Sequence, residues 1–254
     1  MGTAFYRATF EKQGTGSALG WKNCAAASGA MATDQGKLRI KDPSPDTFRA
    51  ATGDFSGGLA IRQVGSTLEH YGVTNTVYDG TDGYTFDKLL AALKRGQFAC
   101  VAGDYDQVPY SLRGDKGFDG LHTEYWHRVT STGITVGDPL NDGRRAGIPN
   151  GYVTYPFSVA RNYVEKLDRQ IPGNSIHACV LDVHKIKSRG GNANVRADHT
   201  RASIVIGTIN GTTRLVTGGT VTGQSINGNS TWFKVWFPAA SKLGYCHSSV
   251  VVRV

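Results

Sequence analysis

The segment that decides how this chain is interpreted is Gly20-Trp21-Lys22-Asn23-Cys24-Ala25-Ala26-Ala27-Ser28-Gly29-Ala30-Met31-Ala32. A polar lead-in runs into small residues that favour a helix, and the junction falls on Cys24. In the first turn of a helix, a thiol meets unsatisfied backbone N–H groups and the positive end of the helix dipole. Both stabilise the thiolate, the nucleophilic form of cysteine. Taken alone, the segment equally fits a small core cysteine in an apolar helix.

The composition is that of a globular protein. The chain has 254 residues, of which 39% are hydrophobic and 33 are glycine, which suits one large domain or two smaller ones rich in turns. No apolar run approaches the roughly 18 residues of a membrane span, and the N-terminus lacks a secretory signal pattern. The four cysteines show no C-x-x-C pair, which argues against a zinc ribbon, a redox pair or a disulfide framework: Cys24, Cys100, Cys179 and Cys246. We therefore predict free thiols and neither metal nor cofactor.

The net charge of +8 is concentrated near the C-terminus. From Lys187 onward there are eight basic residues and one acidic residue, so this last quarter carries +7. A basic segment after a near-neutral one predicts a polyanionic partner, with a merely soluble basic surface as the alternative. Nucleic acid is not the expected partner, because the basic residues do not cluster on a helix and no base-reading motif accompanies them.

The order of the predicted elements indicates an α+β domain. A helix is predicted from Cys24 to near Gly36, another begins with Asp46 as N-cap, and two more cover 59–71 and 85–94. Further along the chain, the spacing of the apolar residues becomes that of strands. We predict a strand over 98–102 and a hairpin over 124–136. Helices followed by antiparallel strands favour an α+β fold over an alternating βαβ one.

The sequence pattern changes again from residue 192. Short strand-like runs separated by Gly and Asn turns predict a small all-β barrel, with strands at 203–206, 214–217, 232–236 and 250–254. The segment Ser188 to Asn192 is predicted to be a short flexible linker. We accordingly place two domains at 1–187 and 188–254.

A cysteine nucleophile needs a base, and the base needs a third group to hold its ring. His122 stands where a glycine-rich loop enters a predicted strand, and His127, five positions on, falls on the opposite face. Asp138 follows the returning strand of the hairpin, so we expect it beside His122. There it can accept a hydrogen bond from the imidazole and fix its tautomer. The alternatives are a surface histidine and an Asp-Pro turn.

Taken together, these segments resemble the papain-like cysteine peptidases of the bacteriocin-processing type, in particular those of phage lysins and phage structural proteins. The matching segments are Asn23–Met31, Ala51–Gly58, Ala102–Tyr105 and His122 through Leu140. The resemblance implies an α+β papain-like domain in which Cys24 is the nucleophile, His122 the general base and acid, and Asp138 the orienting residue.

The chain departs from that family at two places. The usual oxyanion glutamine, six residues before the cysteine, is Ala18 here. Asn23 is therefore the predicted oxyanion donor, with Gln13 or backbone N–H groups as alternatives. Also, Thr123 and Glu124 follow the histidine where small or apolar residues are common, which leaves open an inactive descendant with a binding role.

The C-terminal part resembles a bacterial SH3-like domain. The signature runs through Ala193–Ala197, Val205–Ile209, Asn227–Val235 and Gly244–Ser249. Such domains commonly hold enzymes on bacterial cell walls, in agreement with the charge of this segment; a spacer or assembly module is the alternative. The residues that would bind the wall are not predicted.

The sequence thus leads to the hypothesis of a phage-derived cysteine peptidase, either an endolysin or a virion-associated lysin, that hydrolyses peptide bonds of peptidoglycan. Its expected partners are peptidoglycan or another anionic wall polymer, and also phage tail proteins, with no membrane span. It would be made in the host cytoplasm without a signal peptide and act at the cell wall, or be carried in the virion. The alternatives are an inactive virion structural or adhesion protein and a protease of virion maturation.

Overall fold

The computed structural model describes residues 7–14, 20–141, 151–167 and 176–254, with the side chain of Trp21 left out. Contacts divide the chain into two compact units. The larger unit comprises Thr9–Thr33 and Asp42–Asp182, and the C-terminal unit comprises Met1–Ala8, Asp34–Lys41 and Val183–Val254. Among the described residues, no helix combines the length and apolar character needed to cross a membrane.

Helix α1, Cys24–Lys37, begins at the cysteine as predicted. Its alanines and Met31 are almost completely buried, so this helix is covered by protein on several sides. Small side chains allow that close packing: a Cβ atom on Gly29 would lie 2.3 Å from the ring of Phe48. The run of small residues therefore positions Cys24 at the end of a tightly enclosed helix.

Four further α-helices lie in the described chain: α2 Pro45–Thr52, α3 Ile61–His70, α4 Phe86–Lys94 and α5 Phe157–Glu165. Short 3₁₀ helices also cover Gly20–Lys22, Tyr105–Gln107 and Pro238–Ala240. Thr85 caps α4, as its sequence position indicates. The prediction that Asp46 caps α2 is wrong. Ser44 is the N-cap, and its hydroxyl accepts a hydrogen bond from the Thr47 N–H at 3.2 Å. Proline directly after the cap explains the earlier start, because its fixed φ suits the first helical position.

Six antiparallel strands form the sheet of the larger unit in the order β1-β6-β2-β3-β4-β5. They are β1 Asn75–Asp79, β2 Phe98–Asp104, β3 Leu121–Val129, β4 Gly133–Gly137, β5 Tyr152–Pro156 and β6 His177–Leu181. Its core joins side chains from the strands with those of α4 and α5, among them Leu89, Trp126 and Tyr163. The prediction of a mixed α+β fold with an antiparallel sheet is confirmed.

The C-terminal unit contains a sheet of seven antiparallel strands in the order β13-β7-β10-β11-β12-β8-β9. They are β7 Lys185–Ser188, β8 Ala193–Arg196, β9 Val205–Ile209, β10 Leu215–Ile226, β11 Asn229–Phe237, β12 Lys242–His247 and β13 Val251–Arg253. Asn227 and Gly228 both have positive φ, 51° and 80°, which is the backbone of a tight turn between β10 and β11. The SH3-like identity of this unit stays a prediction.

The segment predicted as a linker lies inside the C-terminal unit. Ser188 pairs with Val251 in the ladder between β7 and β13. The backbone N–H of Arg189 donates to the carbonyl of Val250 at 3.0 Å. The last stretch of this unit begins at Val183, and the division into domains at 1–187 and 188–254 stays a prediction.

Candidate active site

Cys24 occupies the first position of α1, and the residue as a whole is partly exposed. The thiol interacts with the imidazole of His122 and with the backbone of Thr123 and Ala25. Burial opposes the charged form, but the hydrogen bond and charge of His122, together with the backbone contacts, outweigh it and lower the pKa of Cys24. A cysteine that is partly exposed and easily ionised has the properties of a nucleophile.

A hydrogen bond from α1 to β3 holds the thiol next to the imidazole. The hydroxyl of Ser28, one helical turn after Cys24, donates to the carbonyl of Thr123 at 2.9 Å. Thr123 directly follows His122 in β3. The helix that carries the thiol and the strand that carries the base are thus joined one helical turn from Cys24 and one residue from His122.

His122 is buried between the carboxylate of Asp138 and the thiol of Cys24. Its Nε2 lies 2.8 Å from Oδ1 of Asp138, and its Nδ1 has no hydrogen-bond partner of ordinary distance and angle among the described residues, which leaves it for the thiol. Burial opposes the charge on the ring, but the bonds and charges of Asp138 and Cys24 raise the pKa of His122 to about 10. Because a carboxylate only accepts, Nε2 carries a proton, and Nδ1 can take the proton of the thiol.

The sheet fixes the backbone of His122 as well. Gly103 of β2 is paired opposite His122. A Cβ atom at Gly103 would lie 2.2 Å from the ring of Tyr163, so only glycine leaves room for that ring. The hydroxyl of Tyr163 then donates to the His122 carbonyl at 2.7 Å.

Asp138 follows β4, where the hairpin argument placed it, and is fully buried. Besides His122, three donors reach its carboxylate. The Leu140 N–H donates to Oδ1 at 3.0 Å, and the Tyr105 hydroxyl and the Gly114 N–H donate to Oδ2 at 2.6 and 3.1 Å. Burial favours the neutral acid, but these bonds and the imidazolium charge outweigh it and lower the pKa of Asp138. Asp138 is therefore an anion that orients the ring and stabilises its positive charge.

His127 lies elsewhere. It stands at an irregularity in the ladder between β3 and β4, where the register shifts between Trp126 and Arg128. Its ring packs 5.7 Å from the rings of both Phe98 and Tyr152. The structure thus brings one of the two candidate histidines, His122, to Cys24.

Asn23, the predicted oxyanion donor, is completely buried and engaged inside the protein. Its Nδ2 donates to Oδ1 of Asp46 at 2.8 Å, and its Oδ1 accepts a hydrogen bond from Nε of Arg49. To donate to a substrate oxygen through the bonded N–H, the amide would have to leave Asp46. The position of Ala18 lies outside the described residues.

Arg49 is a buried residue of the site that the sequence analysis missed. Besides binding Asn23, its guanidinium donates to the carbonyls of Lys22, Gly57 and Asp54 at 2.7, 2.8 and 3.2 Å. It therefore ties the residues before Cys24 to the loop after α2. A signal existed in the sequence, because Arg49 shares the buried face of α2 with Pro45 and Phe48 at helical spacing.

Glu124 and Tyr105 are the other residues of the site to which the sequence analysis gave no role. Glu124 lies two positions after His122 in β3, so both side chains project from the same face of the strand.

One ligand atom from each of His122, Glu124 and Asp138 lies within 4.8 Å of the others, close enough to surround a metal ion. However, both oxygens of each carboxylate accept hydrogen bonds from protein donors, and N–H or O–H donors oppose a cation. The residues therefore fit a hydrogen-bonded cluster better than a metal centre.

Comparison with known proteins adds no family. No family model matches the sequence, and no curated protein matches it. Among solved structures, a Bacillus anthracis protein provisionally described as a C39-like peptidase aligns over 63% of this chain and 88% of its own, with 10% identity and a TM-score of 0.43. A structure called Ly7917 aligns over 96% of this chain and 88% of its own, with 11% identity and a TM-score of 0.31. Similarity this distant carries no argument, so the function rests on the site itself.

Proposed function

We propose that the protein is a cysteine peptidase in which Cys24 is the nucleophile, His122 the general base and acid, and Asp138 the orienting residue. The observation that supports it most is the continuous chain from the thiol of a partly exposed cysteine to a buried imidazole to a buried carboxylate, with 2.8 Å between His122 and Asp138. A nucleophile, a base in contact with it and a group that orients the base are the elements that acyl transfer needs.

The chemistry follows from the protonation states. The Cys24 thiolate attacks the carbonyl carbon of a peptide bond, and the proton on His122 Nδ1 passes to the departing amine, which leaves a thioester. His122 then takes a proton from a water molecule, and the resulting hydroxide attacks the acyl carbon and displaces Cys24 as the thiolate. The product acid departs, and the thiolate–imidazolium pair forms again. Asp138 keeps its charge throughout.

For the oxyanion of the tetrahedral intermediate, we propose the backbone N–H of Cys24 as one donor. It lies in the first turn of α1, where no carbonyl of the same helix can accept it. Gln13 is the side-chain alternative to Asn23: it is buried, and its backbone N–H donates to the Pro139 carbonyl at 3.0 Å, beside Asp138. Replacing an oxyanion donor should lower kcat by about 10²- to 10³-fold. Gln13→Ala and Asn23→Ala assayed side by side distinguish the two.

The test of the enzyme itself is zymography on bacterial wall preparations with the wild type, Cys24→Ala and His122→Ala. We expect clearing by the wild type and none by the two variants. Cys246→Ala is the matched control, because that thiol is buried in the C-terminal unit. Full clearing by Cys24→Ala and His122→Ala would contradict the assignment. A wild type that binds walls without clearing them would instead favour an inactive virion protein.

We propose peptidoglycan as the substrate and wall binding as the role of the C-terminal unit. The charge of +7 from Lys187 onward supports this. So does an open groove of about 380 Å³, whose polar lining includes Arg196, Arg201 and three asparagines, with Trp232 and His247 at its buried base. The Arg201 guanidinium and the amides of Asn192, Asn194 and Asn227 have no partners among the described residues. Phage origin and action at the wall belong to this same proposal.

Wall binding can be located with charge-matched variants. Arg196→Gln/Arg201→Gln removes two charges from the groove, whereas Arg214→Gln/Lys242→Gln removes two exposed charges that do not line it. In a sedimentation assay with purified walls, we expect the first pair to lose clearly more binding than the second. Equal losses would indicate general electrostatic attraction, and unchanged binding in both would exclude the groove.

A further inference from the structure

Glu124 is a fully buried carboxyl group inside the candidate active site. The hydroxyl of Tyr155 donates to its Oε1 at 2.5 Å, and the indole N–H of Trp126 donates to its Oε2 at 3.3 Å. Both donors are neutral, and no lysine or arginine bonds this carboxyl among the described residues. A buried carboxylate without a cation as partner is costly, so a neutral acid is the favoured state.

The ionisable groups that interact with Glu124 among the described residues lie on several elements of the sheet and on α5. They are His122 on the same strand, Asp138 after β4, Tyr155 on β5, Tyr105 after β2 and Tyr163 on α5, with Cys24 acting through His122. His122 is the single cation of this set, and Asp138 has the direct bond to it. Since Asp138 also has three further donors, the proton shared between two carboxyl groups this close belongs on Glu124.

We propose that Glu124 is a positioning residue that stays protonated while the enzyme works, and that its ionisation sets the upper pH limit of the reaction. The first half stands on the geometry alone, and the second half rests on the proposed peptidase function. Glu124 is fully buried and acts through His122, without contact with the substrate.

The effect on His122 follows from charge. While Glu124 is neutral, one carboxylate, Asp138, stabilises the imidazolium. When Glu124 loses its proton to solvent, a second negative charge within 4.8 Å holds the imidazole proton more strongly. His122 then gives its proton less readily to the departing amine, and is less often the neutral base that activates water. Burial and the charge of Asp138 raise the pKa of Glu124 to about 8, which places this change just above neutrality.

The protonation state can be measured without any substrate. The chain contains four glutamates, Glu11, Glu69, Glu124 and Glu165, so selective ¹³C labelling of glutamate carboxyls gives a simple spectrum of the full chain. We expect one resonance that titrates near pH 8 in the wild type and is missing in Glu124→Gln. If no glutamate titrates above pH 6, or if such a resonance persists in the variant, the inference is overturned. A protein that passes this test and hydrolyses nothing would refute the proposed function and leave the protonation state of Glu124 established.

The consequence for catalysis appears in the pH dependence of kcat, with each profile normalised to its own maximum. In the wild type we expect kcat to fall with a midpoint near 8, so that about a tenth remains at pH 9. In Glu124→Gln the fall should move towards the pKa of His122, about 10, and leave most of kcat at pH 9. Tyr155→Phe removes a donor to the ionised form and should also move the fall upward. A merely structural role would lower kcat at every pH without moving the midpoint, and that result would overturn the inference.

Discussion

Asp138→Asn tests whether the charge of the orienting residue, beyond its shape, activates Cys24. The amide keeps an acceptor at the position of Oδ1 for His122 Nε2. At the position of Oδ2 it places an NH2 group opposite two donors, the Tyr105 hydroxyl at 2.6 Å and the Gly114 N–H at 3.1 Å. The variant therefore removes the anion that stabilises the imidazolium. It also leaves the Tyr105 hydroxyl without its acceptor, whereas the Gly114 N–H still donates to that hydroxyl oxygen at 2.7 Å.

The magnitude follows from the pKa of His122. Asp138 is the largest contributor to raising that pKa to about 10, against the opposing effect of burial. Without this anion, burial is opposed by Cys24 alone, so the pKa of His122 falls and the thiolate–imidazolium pair becomes less populated at pH 7. We expect kcat/KM to fall by about 10²- to 10⁴-fold, in the range known for the loss of an orienting carboxylate. The unpaired donor should add about 1 to 3 kcal/mol of lost stability.

The assay is the rate of alkylation of Cys24 by iodoacetamide between pH 5 and 10, because it reports the thiolate without needing a substrate. The signal is specific, since Cys100, Cys179 and Cys246 are buried and burial raises their pKa values, to about 12 for the last two. In the wild type we expect fast alkylation through neutral pH, because the pKa of Cys24 is lowered. In Asp138→Asn the fast phase should appear only at clearly higher pH.

Tyr105→Phe is the matched control, because it removes one donor to the same carboxylate and keeps the charge. It should lower stability by about 1 kcal/mol and leave the alkylation profile close to that of the wild type. If Asp138→Asn and the wild type have the same alkylation profile while both are folded, then Asp138 does not control the ionisation of Cys24, and the reasoning above is wrong.

Three other variants test the packing around the site by chemical denaturation. Arg49→Met leaves the buried amide oxygen of Asn23 and three partly buried carbonyls without their donor and should cost about 3 to 5 kcal/mol, whereas the exposed Arg62→Met should cost little. Gly29→Ala places a Cβ 2.3 Å from an aromatic ring and should cost about 1 to 3 kcal/mol, against a small effect of Gly57→Ala, where nothing lies within 4 Å. Because the pKa of Glu124 is raised from 4.5 to about 8 by folding, its contribution to stability is complete below pH 4.5 and is lost as the pH rises through about 8. The stability of Glu124→Gln should therefore increase relative to that of the wild type between these two pH values. No such gain would indicate that Glu124 titrates at its ordinary value.

The parts of the site that local rules govern could be predicted from the sequence. The start of α1 at Cys24 follows from the change to small residues, and the approach of Asp138 to His122 follows from the length of a hairpin. Strand alternation also separated His122 from His127. Each of these depends on residues at most about one hairpin apart, where backbone geometry limits the possible arrangements.

What could not be predicted depends on distant residues. Strand β6 pairs between β1 and β2, a hundred positions away from β1, and nothing in its own sequence specifies those neighbours. The same holds for the amide of Asn23, which sequence position alone offered as an oxyanion donor. In the fold it meets Asp46 and Arg49, because α2 brings both to the segment before Cys24. A polar side chain that looks free in sequence becomes engaged once the fold supplies its partners.

Glu124 is the opposite case, because it looks unfavourable in the sequence and gains a role once the fold is known. In the sequence, an acid two positions after His122 counts against an active site, because small or apolar side chains suit a buried strand. In the structure the alternation of β3 forces Glu124 onto the face of His122, where its desolvation has a cost at any pH at which it is charged. A neutral glutamic acid avoids most of that cost and still fills the hydrogen bonds to Tyr155 and Trp126, since a hydroxyl pairs with either protonation state. The residue that departs from the family pattern therefore carries a proton in the site. When that proton is lost, His122 holds its own proton more strongly.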